Sequence, residues 1–520
     1  MSPIKAEEKS QVESAASVKN KPISKNRKTF AGIFAGCLLI LLLIAGFAYF
    51  NSRSSKTSQN TANQIKSIAV LPFENQNPDT EYLSDGLTES VINNLSGLSD
   101  LRVISRNSVF QYKNMRPDLA TVGRDLNVNV VLTGKFAQSS DYLILNVELT
   151  DVRDNQQIWE RQYNGGVTDL FFLQQRISQD VSGSLHPQFN ENDRKRMAKR
   201  ETDDSEAYRL YLKGRYFLDL RTDDSVAKAI DFFNRAIQRD PTYALAYVGL
   251  ANSYALQSSI EISQDELAAV VQAAANKALE IDDSIGEAYA VLAFNNCFHK
   301  WDWATAERQY RRAIELNRNY ATTHHWFAEF LAMEGKFDES FAEYDRAIEL
   351  DPLSLAIKTD LGFNYFYARQ PDRAIEYLQN LKKLNPNYPR IYLYLTQVYQ
   401  EKEMFDEAID EFAAFYLIQD DNTSIWIKNK ELLKNAVKIS GAKGFWQKRL
   451  ELDQTAKHSG PFGLAMIYAK LGNNDKAFEY LEKACTERNA AIIYLKARPE
   501  LDILHPDSRF PDLVRRVGIP

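Results

Sequence analysis

Cysteine is scarce in this chain. Cys37, Cys297 and Cys485 are the only three in 520 residues, and their spacing frames neither a disulfide scaffold nor a zinc knuckle. Histidine is nearly as scarce. The six include the neighbours His324 and His325. Adjacent residues on a helix point about 100° apart, so this pair is not a chelate. The sequence has no glycine-rich phosphate loop, no nucleophile–base pairing signature and no metal-ligand spacing. Catalytic residues, cofactor-binding residues and metal ligands are all expected to be absent, and the chain is expected not to be an enzyme. Excess positive charge is lacking too. The net charge is −6, and a basic cluster at Lys19–Lys28 leaves the remainder more acidic still. Phosphate binding needs a basic face, so an acidic body excludes nucleic acid as a partner. A small-molecule substrate is not expected either.

Long apolar runs are absent with one exception. Residues 29–50 carry no charge, and at about 1.5 Å rise per residue they span about 33 Å, enough to cross a hydrocarbon core. Lys19, Lys21, Lys25, Arg27 and Lys28 precede the run, whereas Arg53, Lys56 and Lys66 are spread over the following flank. This asymmetry predicts a transmembrane helix at 29–50, a basic cytoplasmic tail at 1–28 and the main body on the far side. Gly46-Phe47-Ala48 has the small-residue spacing of a signal-peptidase site, so cleavage of the anchor stays open.

Residues 51–65 are rich in Ser, Thr, Asn and Gln and read as a flexible linker. A small α/β domain is expected over 66–190. Ile68–Leu71 is a short apolar strand closed by Pro72, and Glu81–Leu98 carries Leu83, Leu87, Val91 and Leu95 at helical spacing. Leu101–Ser105 and Val128–Thr133 are further strands. Tyr142–Thr150 and Gln156–Tyr163 alternate across an Asp154-Asn155 turn, and Leu170–Leu185 is an amphipathic helix. The order β-α-β-α-β-β-β-α implies a mixed sheet with helices packed on it. The motifs Ser67-Ile-Ala-Val-Leu-Pro-Phe-Glu-Asn75, Glu81-Tyr-Leu-Ser-Asp-Gly-Leu-Thr-Glu-Ser90 and Leu101-Arg-Val-Ile-Ser-Arg106 resemble the TolB amino-terminal-like domain, related to the FlgO and CsgG families. The resemblance implies a bacterial envelope setting and carries over no catalytic residue. Together with the anchor it predicts a single-pass protein of the bacterial inner membrane with a periplasmic, extracytoplasmic body.

Ala313, Ala347, Leu381 and Phe415 recur every 34 residues, and Pro352 and Pro386 share that period. Small residues recur where the two helices of a pair would cross: Gly214, Ala251, Ala293, Ala328, Gly362 and Ala465 in first helices, and Ala229, Ala306, Ser340, Ala374, Ala408 and Ala477 in second helices. This pattern resembles tetratricopeptide repeats. It predicts a solenoid over 205–490 with about eight helix pairs, one of them degenerate at 423–457, and a C-terminal cap at 491–520. The expected fold class is therefore α/β plus all-α: one transmembrane helix, a small mixed-sheet domain and a tetratricopeptide α-solenoid.

First helices line the inner face of such arrays. Counting from the small positions places Val248, Asn252, Phe294, His325, Glu329, Phe363, Phe366, Leu393 and Gln397 on that face. The mixture of apolar and hydrogen-bonding side chains suits an extended peptide. The alternative is a groove filled by the protein's own cap or neighbouring domain. The expected function is a membrane-anchored scaffold that binds protein partners. The rival reading is a non-catalytic signalling or transcription-regulatory subunit of the CadC or repeat-cyclase type.

Overall fold

The computed structural model describes residues 65–98, 100–139, 142–166, 169–185, 199, 201–256, 263–419, 423–456 and 460–520. All of these belong to one compact unit, Ile65–Pro520. It opens with a six-stranded sheet: β1 (Ser67–Val70), β2 (Glu74–Asn75), β3 (Arg102–Val103), β4 (Val130–Ser139), β5 (Tyr142–Asp151) and β6 (Gln156–Gly166). The order across the sheet is β3-β1-β4-β5-β6, with β2 paired to β4. β1 runs parallel to both neighbours, so its side chains are covered on both faces and all four of its residues are buried. The β4–β5–β6 meander is antiparallel, with Leu132 opposite Leu149 and Leu149 opposite Trp159. Helices α1 (Glu81–Ser96), α2 (Arg106–Val109), α3 (Leu119–Asp125) and α4 (Leu170–Leu185) complete the domain.

Helix pairs follow in sequence: α5 (Ser205–Asp219) with α6 (Asp223–Arg239), α7 (Ala244–Leu256) with α8 (Gln264–Ile281), α9 (Gly286–Asn295) with α10 (Trp303–Leu316), α11 (Ala321–Glu334) with α12 (Phe337–Leu350), α13 (Leu355–Tyr367) with α14 (Pro371–Leu384), and α15 (Pro389–Glu401) with α16 (Phe405–Ile418). The long α17 (Thr423–Ala456) is two helices joined at a kink, where Ser440 and Gly441 leave helical geometry and Gly441 takes φ 55°. The pair α18 (Pro461–Lys470) and α19 (Asn474–Thr486) ends the array, and α20 (Arg509–Val517) lies beyond it.

Local chemistry sets the helix starts. Asp204 accepts from the backbone N–H of Glu206 and Ala207 at the head of α5, and Ser263 and Glu266 form a capping box at the head of α8. The crossings are made by the small residues. Ala229, Ala251, Ala293, Ala306, Ala328, Ala347, Ala374, Ala408 and Ala477 are all fully buried. A Cβ on Gly214 would stand 2.6 Å from the Phe233 ring, and one on Gly362 would stand 2.6 Å from Leu378.

The sheet domain is not a separate bead. One core runs continuously from Ile68 through α1 and α4 into α5–α9. Asn319, in the turn before α11, donates at 2.9 Å to the carbonyls of both Ser96 and Leu101. The N–H of Ser105 donates to Leu350 O at 2.8 Å, and Ser108 and Asn107 both donate to Asp351. Arg106 pairs with Asp219 at 3.1 Å, and Arg215 pairs with Glu89.

Two expectations are corrected here. Among the described residues, no helix is long and apolar enough to cross a membrane. The apolar helices, such as the ten-residue α9, span only about 15 Å and are buried in the array. The expected span at 29–50 lies outside the described residues. Over the described residues the fold class is therefore a mostly helical tetratricopeptide-like solenoid with a small sheet domain, and the expected transmembrane element is not among them. The placement in an inner membrane, which rested on that element, is withdrawn with it.

Ala374 is fully buried where α14 crosses its partner helix. Ala374→Leu is expected to overpack this crossing and cost about 1–3 kcal/mol. Urea unfolding of the variant checks this, and an unchanged midpoint would refute the crossing.

Candidate functional site

The inner face of the array is occupied in part by the chain itself. Near its start, Val248 is buried and Asn252 half-buried. Both line a 160 Å³ cavity that also takes Asn93, Asn94 and Gln174 from the sheet domain. Phe294 is half-buried. Its ring stacks on Phe298 at 4.3 Å and tilts against Trp326 at 4.8 Å.

In the middle of the array, Phe363 stacks on Tyr394 at 4.0 Å and meets Phe366 at 5.2 Å. The two phenylalanines are only 3% and 1% exposed. The chain itself buries Val248, Phe363 and Phe366. Part of the cover over Phe363 and its neighbour Tyr367 comes from the residues after α19. Arg498 lies 5.6 Å over the Phe363 ring, donates to Gln397 Oε1 at 2.8 Å and pairs with Glu500 at 2.6 Å. Tyr494 stacks on Tyr367 at 5.6 Å, and Arg369 grips Asp502 and the Ala497 carbonyl. Further on, Trp303 Nε1 donates to Val517 O at 3.0 Å, so the C-terminal segment reaches back to α10.

His325 and Glu329 stand beside this aromatic cluster, joined by charged groups that sequence periodicity did not single out. Asp360 Oδ2 lies 3.1 Å from His325 Nε2, Arg390 donates to both its oxygens at 3.2 and 3.3 Å, and Tyr394 OH donates at 2.8 Å. Burial alone would raise the Asp360 carboxyl, but these donors outweigh it and hold it below the usual range. Burial would lower the His325 imidazole, yet its bond to Asp360 keeps it raised. Burial pushes Glu329 up to about 7, against the attraction of His325 and Arg390. The neighbouring His324 turns elsewhere, to Glu343 at 2.6 Å and Arg318 O at 3.0 Å. His325, Glu329 and Asp360 are the group among the described residues whose possible metal-donor atoms all lie within 4.8 Å of one another.

Leu393 and Gln397 border the opening that is left. This 290 Å³ cavity lies between α15, the second half of α17, α18 and the residues around Tyr494, with Trp446, Phe462 and Met466 in its wall. The sheet domain has its own 470 Å³ cavity beside the carboxyl end of β1 and the middle of β4, bordered by Asp85 and Lys113, which pair at 2.6 Å. Gly86 has a packing role, since a Cβ there would stand 2.8 Å from Leu212 of α5.

Asp360, Arg390 and Arg498 were the missed residues. The first two are charges on the inner helices α13 and α15, a signal open to a charge-based count. Arg498 lies outside the repeat period and left none.

Glu329 carries a pH prediction. A carboxyl raised from 4.5 to about 7 destabilises the fold progressively as pH rises through that window, and the full cost persists above it. Glu329→Gln removes this cost. The variant is expected to match the parent at pH 5 and to exceed it at pH 8 by on the order of 1 kcal/mol. Thermal melts at both pH values measure this, and equal differences at the two would contradict it.

Comparison with known proteins adds the following. Residues 63–179 match the family model of the HilA/YgeH-like transcriptional regulator, second domain. Residues 360–388 and 462–490 match tetratricopeptide repeat models. Putative adenylate cyclase 3 of Rhizobium meliloti (strain 1021) is 33% identical over 187 residues, covering 36% of this chain and 32% of that protein. Transcriptional regulator HilA of Salmonella typhimurium is 24% identical over 318 residues, covering 58% of this chain and 54% of HilA. The solved structure of Pseudomonas aeruginosa PilF aligns with a TM-score of 0.30 at 19% identity, over 54% of this chain and 98% of that one. This chain thus spans between a third and just over half of these two curated relatives. For the sheet domain the model that matches is that of the HilA-type second domain. The chain carries tetratricopeptide repeats, a fold suited to binding proteins and typically without catalysis of its own, behind a sheet domain similar to that regulator domain.

Proposed function

We propose that this protein is a non-catalytic interaction module that captures an extended, apolar-anchored peptide in the opening bordered by Leu393, Gln397, Trp446 and Met466. One observation carries the reading. Phe363 and Phe366 in the middle of the inner face are buried, whereas this end keeps a 290 Å³ cavity of apolar walls with polar groups at its border. That volume is near the lower end for ligand pockets and suits one or two apolar side chains. Gln397 and Gln400 offer hydrogen bonds to a peptide backbone, and Met466 can repack around different anchors.

A second reading places this module in signalling, as the non-catalytic input part of a regulator. A protein named as a transcriptional regulator and one named as a putative adenylate cyclase both share similarity with the chain. Segments common to proteins with different outputs are suited to sensing or assembly rather than to the output itself. The two readings are compatible, because a captured peptide is a possible input.

Selection of a displayed peptide library against the full chain tests the site. Enrichment of peptides with apolar anchors is expected. Leu393→Glu, which puts a charge at the rim, is expected to weaken the enriched peptides at least about tenfold with helix content unchanged, as for an interface hot spot. Peptides that bind the folded variant with undiminished affinity would exclude this cavity.

A further inference from the structure

The charged cluster beside the aromatic core has a geometry that the peptide site does not use. His325 and Glu329 are four residues apart on α11, so their side chains lie along one helix face. Asp360 reaches the same point from α13, in the next repeat. A ring nitrogen of His325 and one oxygen from each carboxylate all lie within 4.8 Å of one another. A tetrahedral zinc ion with bonds of about 2.0–2.2 Å holds its donors about 3.4 Å apart. Closing the set therefore needs a shift of about 1 Å, within reach of a glutamate changing its side-chain torsions.

The hydrogen bonding around the cluster is uneven. Asp360 is fully engaged by His325, Arg390 and Tyr394. Glu329 accepts no hydrogen bond among the described residues, although it stands in the same partly enclosed space. A carboxylate kept from bulk water without a donor is costly unless something else neutralises it. Tyr394 and Arg390 already orient Asp360 from outside, the arrangement that fixes a ligating carboxylate. His325 retains 13% side-chain exposure and Asp360 5%, so a small ion has a way in.

We propose that His325, Glu329 and Asp360 form a binding site for a divalent cation of the zinc type, clamping α11 to α13. One imidazole with two carboxylates suits zinc better than magnesium or calcium, which prefer all-oxygen sets. Arg390 opposes the incoming charge and limits affinity. Reading the two adjacent histidines had excluded a metal here. The ligands come instead from one histidine, the residue four positions on, and a carboxylate from the following repeat.

Equilibrium dialysis of the full chain against zinc chloride, with thermal melts on the same samples, tests the site. One equivalent of zinc and a raised melting temperature are expected for the parent. Glu329→Gln and His325→Asn should each weaken zinc binding at least tenfold and abolish the zinc-dependent rise, while His505→Asn, away from the cluster, should change neither. Glu329→Gln removes a buried charge and is expected to fold, so the comparison survives a loss of the histidine variant. Failure of the parent to retain an equivalent of zinc, or unchanged binding in folded Glu329→Gln, overturns the proposal. Peptide binding is not part of this readout, so the two sites stand or fall separately.

Discussion

Helices that cross with nothing larger than a methyl group between them are the constraint on which this structure depends. Nine fully buried alanines, and glycines whose missing Cβ leaves room for Phe233 and Leu378, let successive helices stack closely. Close stacking brings the first helices side by side. It is what allows Phe363 of one repeat to lie on Tyr394 of the next, and His325 to meet Asp360 across a repeat boundary. Larger residues at the crossings would separate these pairs before touching any of the functional side chains.

The array also bends back on itself, because the segment after α19 contacts residues far earlier in the chain. Val517 receives the Trp303 indole N–H, and Arg369 holds Asp502. The sheet domain packs along the first half of the array through Asn319, Asp351 and the Arg215–Glu89 pair. Extended repeat arrays ordinarily present their whole inner face. Here two segments of the same chain take most of it. What is left is chemically divided into an apolar opening near Leu393 and a charged cluster around Asp360.

The repeats were legible in the sequence because their signals are local and periodic. A 34-residue recurrence of small residues needs no knowledge of distant contacts, and the succession of strands along the chain, though not their order across the sheet, was readable from short apolar runs bounded by Pro72 and the Asp154-Asn155 turn. The inner-face positions were also countable from that period. Their burial was not. Phe363 and Phe366 have the spacing of exposed anchors, but what covers them comes partly from Tyr494 and Arg498, more than 120 residues later and outside the repeat. The Asp360 cluster stayed hidden for a related reason, since its members meet only after neighbouring helices have packed. The apolar run at 29–50 is a strong local signal as well, but it lies outside the described residues, among which no helix is long and apolar enough to cross a membrane.

The central claim is that the chain covers its own inner face in the middle and leaves it open at one end. Photo-crosslinking tests this most directly, with a benzophenone amino acid placed at Phe366 in one protein and at Leu393 in another. The account predicts that the probe at 366 joins only residues of the same chain, whereas the probe at 393 also joins an added apolar peptide. Efficient peptide capture at 366 in the folded protein, or none at 393, would contradict it.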